Sequence, residues 1–200
     1  MPASKTIYLV RHGQTHWNRD RRLQGQRDSP LTLVGIEQAR AYGRALAGEL
    51  QGSGVELHVS PLPRAQQSAG IISEALGIPW DEIRHEPRLM ERNQGAWDGL
   101  NAEEIERGFN PDPHLRRSWE FAAPGGESLA QLSARVVAWM DQVGSGRVVV
   151  AVCHGVVSRV MRGAHLGLSP ADTIALPGHR QDRIFRLADS GLSELMCPAS

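Results

Sequence analysis

Four valines among the five residues Val148–Val152, running into Cys153-His154-Gly155, constrain this chain more than any other segment. A continuous apolar, β-branched run suits a parallel strand covered on both faces. Helices on both sides of a sheet supply that cover. The rest of the chain has the matching alternation. Thr6–Val10 and Val55–Ser60 read as further strands, and Arg183–Leu187 and Leu192–Met196 as closing ones. Between them, Leu31–Leu50 has helical spacing, with Thr32 as N-cap and Leu33, Ile36, Gly43, Leu46 and Leu50 on one face. Ser60-Pro61 predicts a second helix start, an N-cap followed by proline at the first helical position, and Leu62, Ala65, Ala69, Ile72 and Leu76 continue it to Gly77. Ser128 and Gln131 form a capping box ahead of Leu129, Leu132, Val136, Met140 and Val143, and Val156–Leu166 is helical again. The expectation is a three-layer α/β/α sandwich with a mostly parallel central sheet, one domain over residues 1–200. Residues 101–123, irregular and rich in charge, proline and aromatics (Phe109, His114, Trp119, Phe121), are expected to cap the site and select its substrate.

Charge narrows the partners. Twenty-two basic residues balance 22 acidic ones, so no global field favours nucleic acid or a membrane surface. No stretch is apolar for long enough to span a bilayer. Cys153 and Cys197 have no CxxC spacing, which implies neither a disulfide framework nor a zinc knuckle and makes a reduced, cytoplasmic setting the default. Monomer and homodimer both stay open. Locally, Arg11, Arg19, Arg21, Arg22 and Arg27 face a single acid, Asp20; a solvated loop and an anion-attracting rim explain that run equally well.

In parallel sheets ligands sit beyond the carboxyl ends of the strands. Two strands end alike there, in Val10-Arg11-His12-Gly13 and Cys153-His154-Gly155. The other six histidines read as structural or surface groups. A metal site would need more ligands at short regular spacing, such as His-Glu-x-x-His, and none occurs. A neutral imidazole can attack phosphorus directly. Such a site needs cationic donors around the equatorial oxygens. Arg11 is adjacent, and Arg64 falls in the first turn of the Ser60-Pro61 helix, although in isolation it would read as an exposed helix arginine. A proton donor for the leaving oxygen is also required, and spacing alone does not separate Glu91 from Glu86.

At this point the residues resemble the histidine phosphatase superfamily, the phosphoglycerate mutase-like proteins. The ordered set is Arg11-His12-Gly13-Gln14-Thr15, Asn18, Gln24-Gly25, Asp28, Pro30-Leu31-Thr32, Gly35, Gln38-Ala39, Ser60-Pro61-Leu62, Arg64-Ala65 and Gln67-Ser68-Ala69. It continues through Glu91, Gly95, Trp97-Asp98-Gly99, Pro124-Gly125-Gly126-Glu127-Ser128, His154-Gly155 and Arg159. The resemblance implies the family fold, His12 as the residue phosphorylated in turnover, and Arg11, Arg64 and His154 as the rest of the phosphate pocket. It also implies Glu91 as the acid that protonates the leaving group and then activates water. Asn18, Gln24, Gly25 and Gly155 become substrate-binding positions, with no metal and no cofactor. Glu127-Ser128 is read chiefly as a helix cap, Cys153 as a buried strand residue, and Trp97 as packing under the Glu91 loop.

Within that family, a hydrolase of a small phosphorylated metabolite is the preferred reading. Cofactor-dependent mutases carry a longer basic segment between the acid and the second histidine, and Gln14 stands where they usually have Glu. Arg116 and Arg117 pull the other way if they clamp a second anion rather than lie in a solvated loop. A non-catalytic phospholigand-binding module ranks behind both, because Arg11, His12, Arg64, Glu91 and His154 are all present.

Overall fold

A computed structural model describes residues 5–111 and 121–197. Six strands form one sheet: β1 (Thr6–Arg11), β2 (Val55–Val59), β3 (Arg84–His85), β4 (Val148–Cys153), β5 (Arg183–Ala188) and β6 (Gly191–Met196), in the order β3-β2-β4-β1-β5-β6. The first four pair in parallel, while β5 runs antiparallel to β1 and β6 antiparallel to β5. The valine strand β4 is central, in register with β1 from Thr6↔Val148 to Arg11↔Cys153.

Alternate side chains of β1 and β4 feed opposite layers, as a strand's two-residue period requires. Ile7, Leu9, Val149, Ala151 and Cys153 pack with Trp139 and Met140 of α5 (Leu129–Gln142) and Val157 and Met161 of α6 (Gly155–His165). Tyr8, Val10, Val150 and Val152 pack with Tyr42 and Leu46 of α2 (Leu33–Glu49) and Ala69 and Ile72 of α3 (Pro63–Leu76). The three-layer sandwich is therefore present. The chain leaves β1 toward one layer, through α2, and leaves β4 toward the other, through α6. That divergence opens a crevice between the adjoining ends of β1 and β4.

Among the described residues three short helices, α1 (His16–Arg19), α4 (Ala102–Phe109) and α7 (Pro170–Ala175), join those above, with 3-10 turns at Trp80–Glu82, Pro87–Leu89 and Gly95–Trp97. The Ser128–Gln131 capping box and the Thr32 N-cap form as expected. Three expectations are corrected. The second helix begins at Pro63 with Leu62 as N-cap, because proline fits the first helical position at either site and Ser60 is engaged elsewhere. Leu33 is 82% exposed, and the buried face of α2 runs through Ala39, Tyr42, Gly43 and Leu46. Residues 102–109 are helical, held by an Asn101–Glu104 capping box and ended by Asn110 in the left-handed region. His114, Arg116, Arg117 and Trp119 lie outside the described residues. No described helix is long and apolar enough to cross a membrane.

Candidate active site

The β1–β4 ladder continues one step past the strands, with the His12 N–H donating to the Cys153 carbonyl at 3.1 Å. This brings the His12 and His154 rings to 5.2 Å between centroids, both buried. Behind His12 the backbone must pass α2 closely. A Cβ on Gly13 would lie 2.1 Å from the Gly35 carbonyl oxygen, and one on Gly35 would lie 2.1 Å from that of Gln14, so glycine is required at both.

Hydrogen bonds fix the protonation of His12 from two sides. Its Nδ1 lies 2.8 Å from the Gly13 carbonyl oxygen, which can only accept, so Nδ1 carries the proton. Its Nε2 receives the Arg64 Nε–H at 3.3 Å, and a guanidinium can only donate. Nε2 therefore presents a lone pair. Burial, then the charges of Arg64 and Arg11, hold the His12 pKa well below the ordinary histidine value. Burial, Arg64 and His12 do the same to His154, and burial takes His179 down to about 3.

Arg64 is 1% exposed, which removes the exposed-helix reading. Its Nη1 donates to the Arg27 carbonyl at 2.7 Å and to Asp28 at 3.0 Å, and its Nη2 to the Gly25 carbonyl at 2.8 Å. It thus ties the 25–28 loop to the nucleophile's neighbourhood. Arg11 donates to the His179 carbonyl at 2.8 Å, while its buried Nε–H has no partner. That orphan donor lies alongside Gly155, where the glycine leaves open approach.

The two carboxylates now separate. Glu86 is buried and gripped by Arg88 through both oxygens, at 2.8 and 2.6 Å. Glu91 lines the pocket instead. Its carboxylate takes the Arg92 N–H at 2.9 Å and, more loosely, the Val156 and Val157 N–H groups at 3.3 and 3.4 Å. Glu91 thereby caps the N-terminus of α6, whose own N-cap residue, His154, makes no side-chain cap.

Arg11, His12, Asn18, Gln24, Gly25, Arg64, Glu91 and Gly155 all line one pocket. His154 is brought beside His12, fully buried and not itself a lining residue. Asn18 turns its side-chain oxygen to the Thr15 N–H and Gln181, leaving the NH₂ end as a donor for an anion. Gln14 takes the Thr32 hydroxyl at 2.9 Å and is not among the lining residues. Trp97 is buried with Ile105, Ala123, Leu23 and Leu100, and Ser128 serves as the α5 cap.

Sequence reasoning did not single out Gln94, Arg159 and His179 as lining residues, and it weighed Arg22 only as one member of the arginine run. Of the arginine run, Arg11 and Arg22 reach the pocket, whereas Arg19 pairs with Asp20 at the surface. Arg22 also bonds Glu104 of α4 at 2.8 and 3.1 Å, so the described part of the 101–123 segment is fastened to the rim. The signal for that contact was the Asn101–Glu104 capping box. Among the described residues no group of three or more His, Cys, Asp or Glu could hold a metal ion.

These buried neutral histidines carry a stability consequence. Below about pH 6.5 the unfolded chain takes up protons that native His12, His154 and His179 refuse, so the unfolded state binds more protons and stability falls with acid. Each contributes up to about 1.4 kcal/mol per pH unit in that window. Urea midpoints should be flat above pH 7 and drop steeply from pH 6.5 to 5. A midpoint unchanged down to pH 5 would contradict the buried, neutral assignment.

The model of the histidine phosphatase superfamily (branch 1) matches residues 7–183. A 2,3-bisphosphoglycerate-dependent phosphoglycerate mutase of Methylobacterium sp. (strain 4-46) is 35% identical over 184 residues, covering 87% of this chain and 85% of that one. A mycobacterial glucosyl-3-phosphoglycerate phosphatase, solved with VO3, superposes with a TM-score of 0.79 at 30% identity over 98% of this chain and 99% of the other. The alpha-ribazole phosphatase of Shigella flexneri shares the fold at TM-score 0.79 and 23% identity, over 98% and 96% of the two chains. With two strand-end histidines, a clamped Arg64 and Glu91 at the head of α6, the chain belongs to the histidine phosphatase superfamily.

Proposed function

We propose that the protein is a phosphomonoester hydrolase that moves phosphate from a small metabolite through a phosphohistidine on His12. The observation that carries this reading is the Nε2 lone pair of His12, defined by bonds to Gly13 and Arg64 and set among arginines. In the reaction Nε2 attacks phosphorus as the bond to the leaving oxygen breaks. Arg64 Nε exchanges its contact with His12 for a phosphate oxygen, and the unpaired Arg11 Nε–H and the Asn18 NH₂ take others. Glu91 gives a proton to the leaving oxygen, then removes one from the water that hydrolyses the phosphoramidate. Glu91 is half-buried and keeps a face to solvent, which suits a site that admits water.

The competing reading is phosphoglycerate mutase-type transfer, favoured by the name and 35% identity of the Methylobacterium relative. A phosphate-release screen over phosphomonoesters, with and without 2,3-bisphosphoglycerate, separates the two. Release independent of the bisphosphate supports the hydrolase. Phosphoglycerate interconversion that depends on it supports the mutase.

Glu91→Gln keeps the size of the side chain but not its proton. Turnover should fall about 10²–10⁴-fold for alkyl phosphates and much less for p-nitrophenyl phosphate, whose leaving group needs no proton. Equal losses on both substrates would remove Glu91 from the acid role.

A further inference from the structure

We infer that the Ser60 hydroxyl is a positioning group that holds His154 as its Nδ1–H tautomer, so that a neutral N–H donor stands beside the nucleophile. Three strand ends meet here. Ser60 follows β2 directly, and its N–H donates to the Val152 carbonyl of β4 at 3.0 Å. This puts its Oγ 2.7 Å from His154 Nε2. The same Oγ accepts the Leu62 N–H at 3.3 Å, in the turn that leads into α3.

A hydroxyl has one proton and two lone pairs. Toward Leu62 it can only accept. Among the described residues its proton then has one acceptor in reach, His154 Nε2, so that nitrogen is the unprotonated one. The imidazole proton sits on Nδ1, which points away from Ser60. Ser60 and His154 are both fully buried, so bulk water does not compete for either group. His154 Nδ1 is itself buried and has no hydrogen-bond partner. As an N–H it is a donor awaiting an acceptor, in a ring whose centroid lies 5.2 Å from that of His12, and the oxygens of a phosphoryl group carried on His12 would supply one. The opposite tautomer would strand the Ser60 proton and turn a lone pair toward those oxygens. Ser60 is also the residue whose expected role as a helix cap fails, and its bond to His154 takes the place of that role.

This assignment rests on the hydrolase reading only for what Nδ1–H is used for. Imidazole ¹⁵N shifts of the ligand-free protein test the tautomer without substrate. Wild-type His154 should show a protonated Nδ1 and an unprotonated Nε2; a protonated Nε2 would overturn the proposal. In Ser60→Ala the His154 proton should move to Nε2 or divide between the two nitrogens. Orthovanadate should then bind about tenfold more weakly, the loss of one hydrogen bond to a charged group. Unchanged shifts together with unchanged vanadate affinity would also refute the role of Ser60. Absence of a phosphoenzyme would count against the hydrolase reading, while the wild-type and Ser60→Ala shifts decide this one without it.

Discussion

Replacing His12 by Ala should abolish covalent labelling and lower kcat by a factor on the order of 10⁶, the scale seen when a nucleophile is removed. Nothing else in the pocket can substitute. His154 is the nearest imidazole, but it is fully buried and its Nε2 is bound to Ser60. Cys153 is buried on the strand face, and burial pushes its thiol up to about 12. Arg11 and Arg64 remain in the variant, so orthovanadate should still bind. The fold should also survive, since His12 holds only a local bond to Gly13 and the Arg64 contact through its ring. The acid sensitivity of the protein should ease in the same variant, because one buried histidine that resists protonation is gone. Stopped assays on folded His12→Ala protein check the first point and urea melts at pH 5.5 the last. Near-normal turnover would remove His12 from the chemistry.

Arg64→Ala should be the most damaging change outside the nucleophile, for two separable reasons. Loss of one preorganised donor to a reacting oxyanion costs about 10²–10³-fold in rate. The structural part is as large. The Gly25 and Arg27 carbonyls and the Asp28 carboxylate all lose their guanidinium partner. Breaking a buried charged network by removing one side costs about 3–5 kcal/mol. The 25–28 loop carries Gly25, held at φ 51° with no room for a Cβ beside Asp98. Loosening it should also blur the substrate-facing wall, so KM should rise as kcat falls. Denaturant unfolding and steady-state kinetics on Arg64→Ala check both parts. Arg64→Lys should recover some stability but little rate, because an ammonium cannot span the loop and His12 together. Wild-type stability in Arg64→Ala would show that the clamp does not exist.

The sheet was legible because its evidence is local. A run of valines reports double-sided burial in its own composition, and His12 and His154 each follow a strand with a glycine behind. The errors arose where a distant partner decides. Ser60 looked like a helix cap because the residue that takes its hydroxyl, His154, lies 94 positions away. Spacing alone did not separate Glu86 from Glu91 and only the resemblance chose Glu91; in the structure Arg88 holds Glu86 and Glu91 sits at the head of α6. Arg64 was given the right place but half its role, since the loop carbonyls it holds have no mark in sequence. Arg22 and Gln94 reach the pocket only because α4 and the Gly95–Trp97 turn fold over Leu23. Leu33 fitted the helical period of α2 and still faces solvent, since the buried face runs through Gly35, Ala39, Tyr42 and Leu46. The substrate's remainder is set by contacts at that rim, where the fold itself makes no choice.

The central claim is that His12 Nε2 takes the phosphoryl group. Rapid acid-free quenching during turnover, followed by peptide mapping, tests it most directly. The account predicts a phosphoramidate on the peptide containing His12, lost on brief acid treatment, stable to base, and absent from His12→Ala. Turnover with no phosphorylated His12, or with the label on another residue, would contradict it.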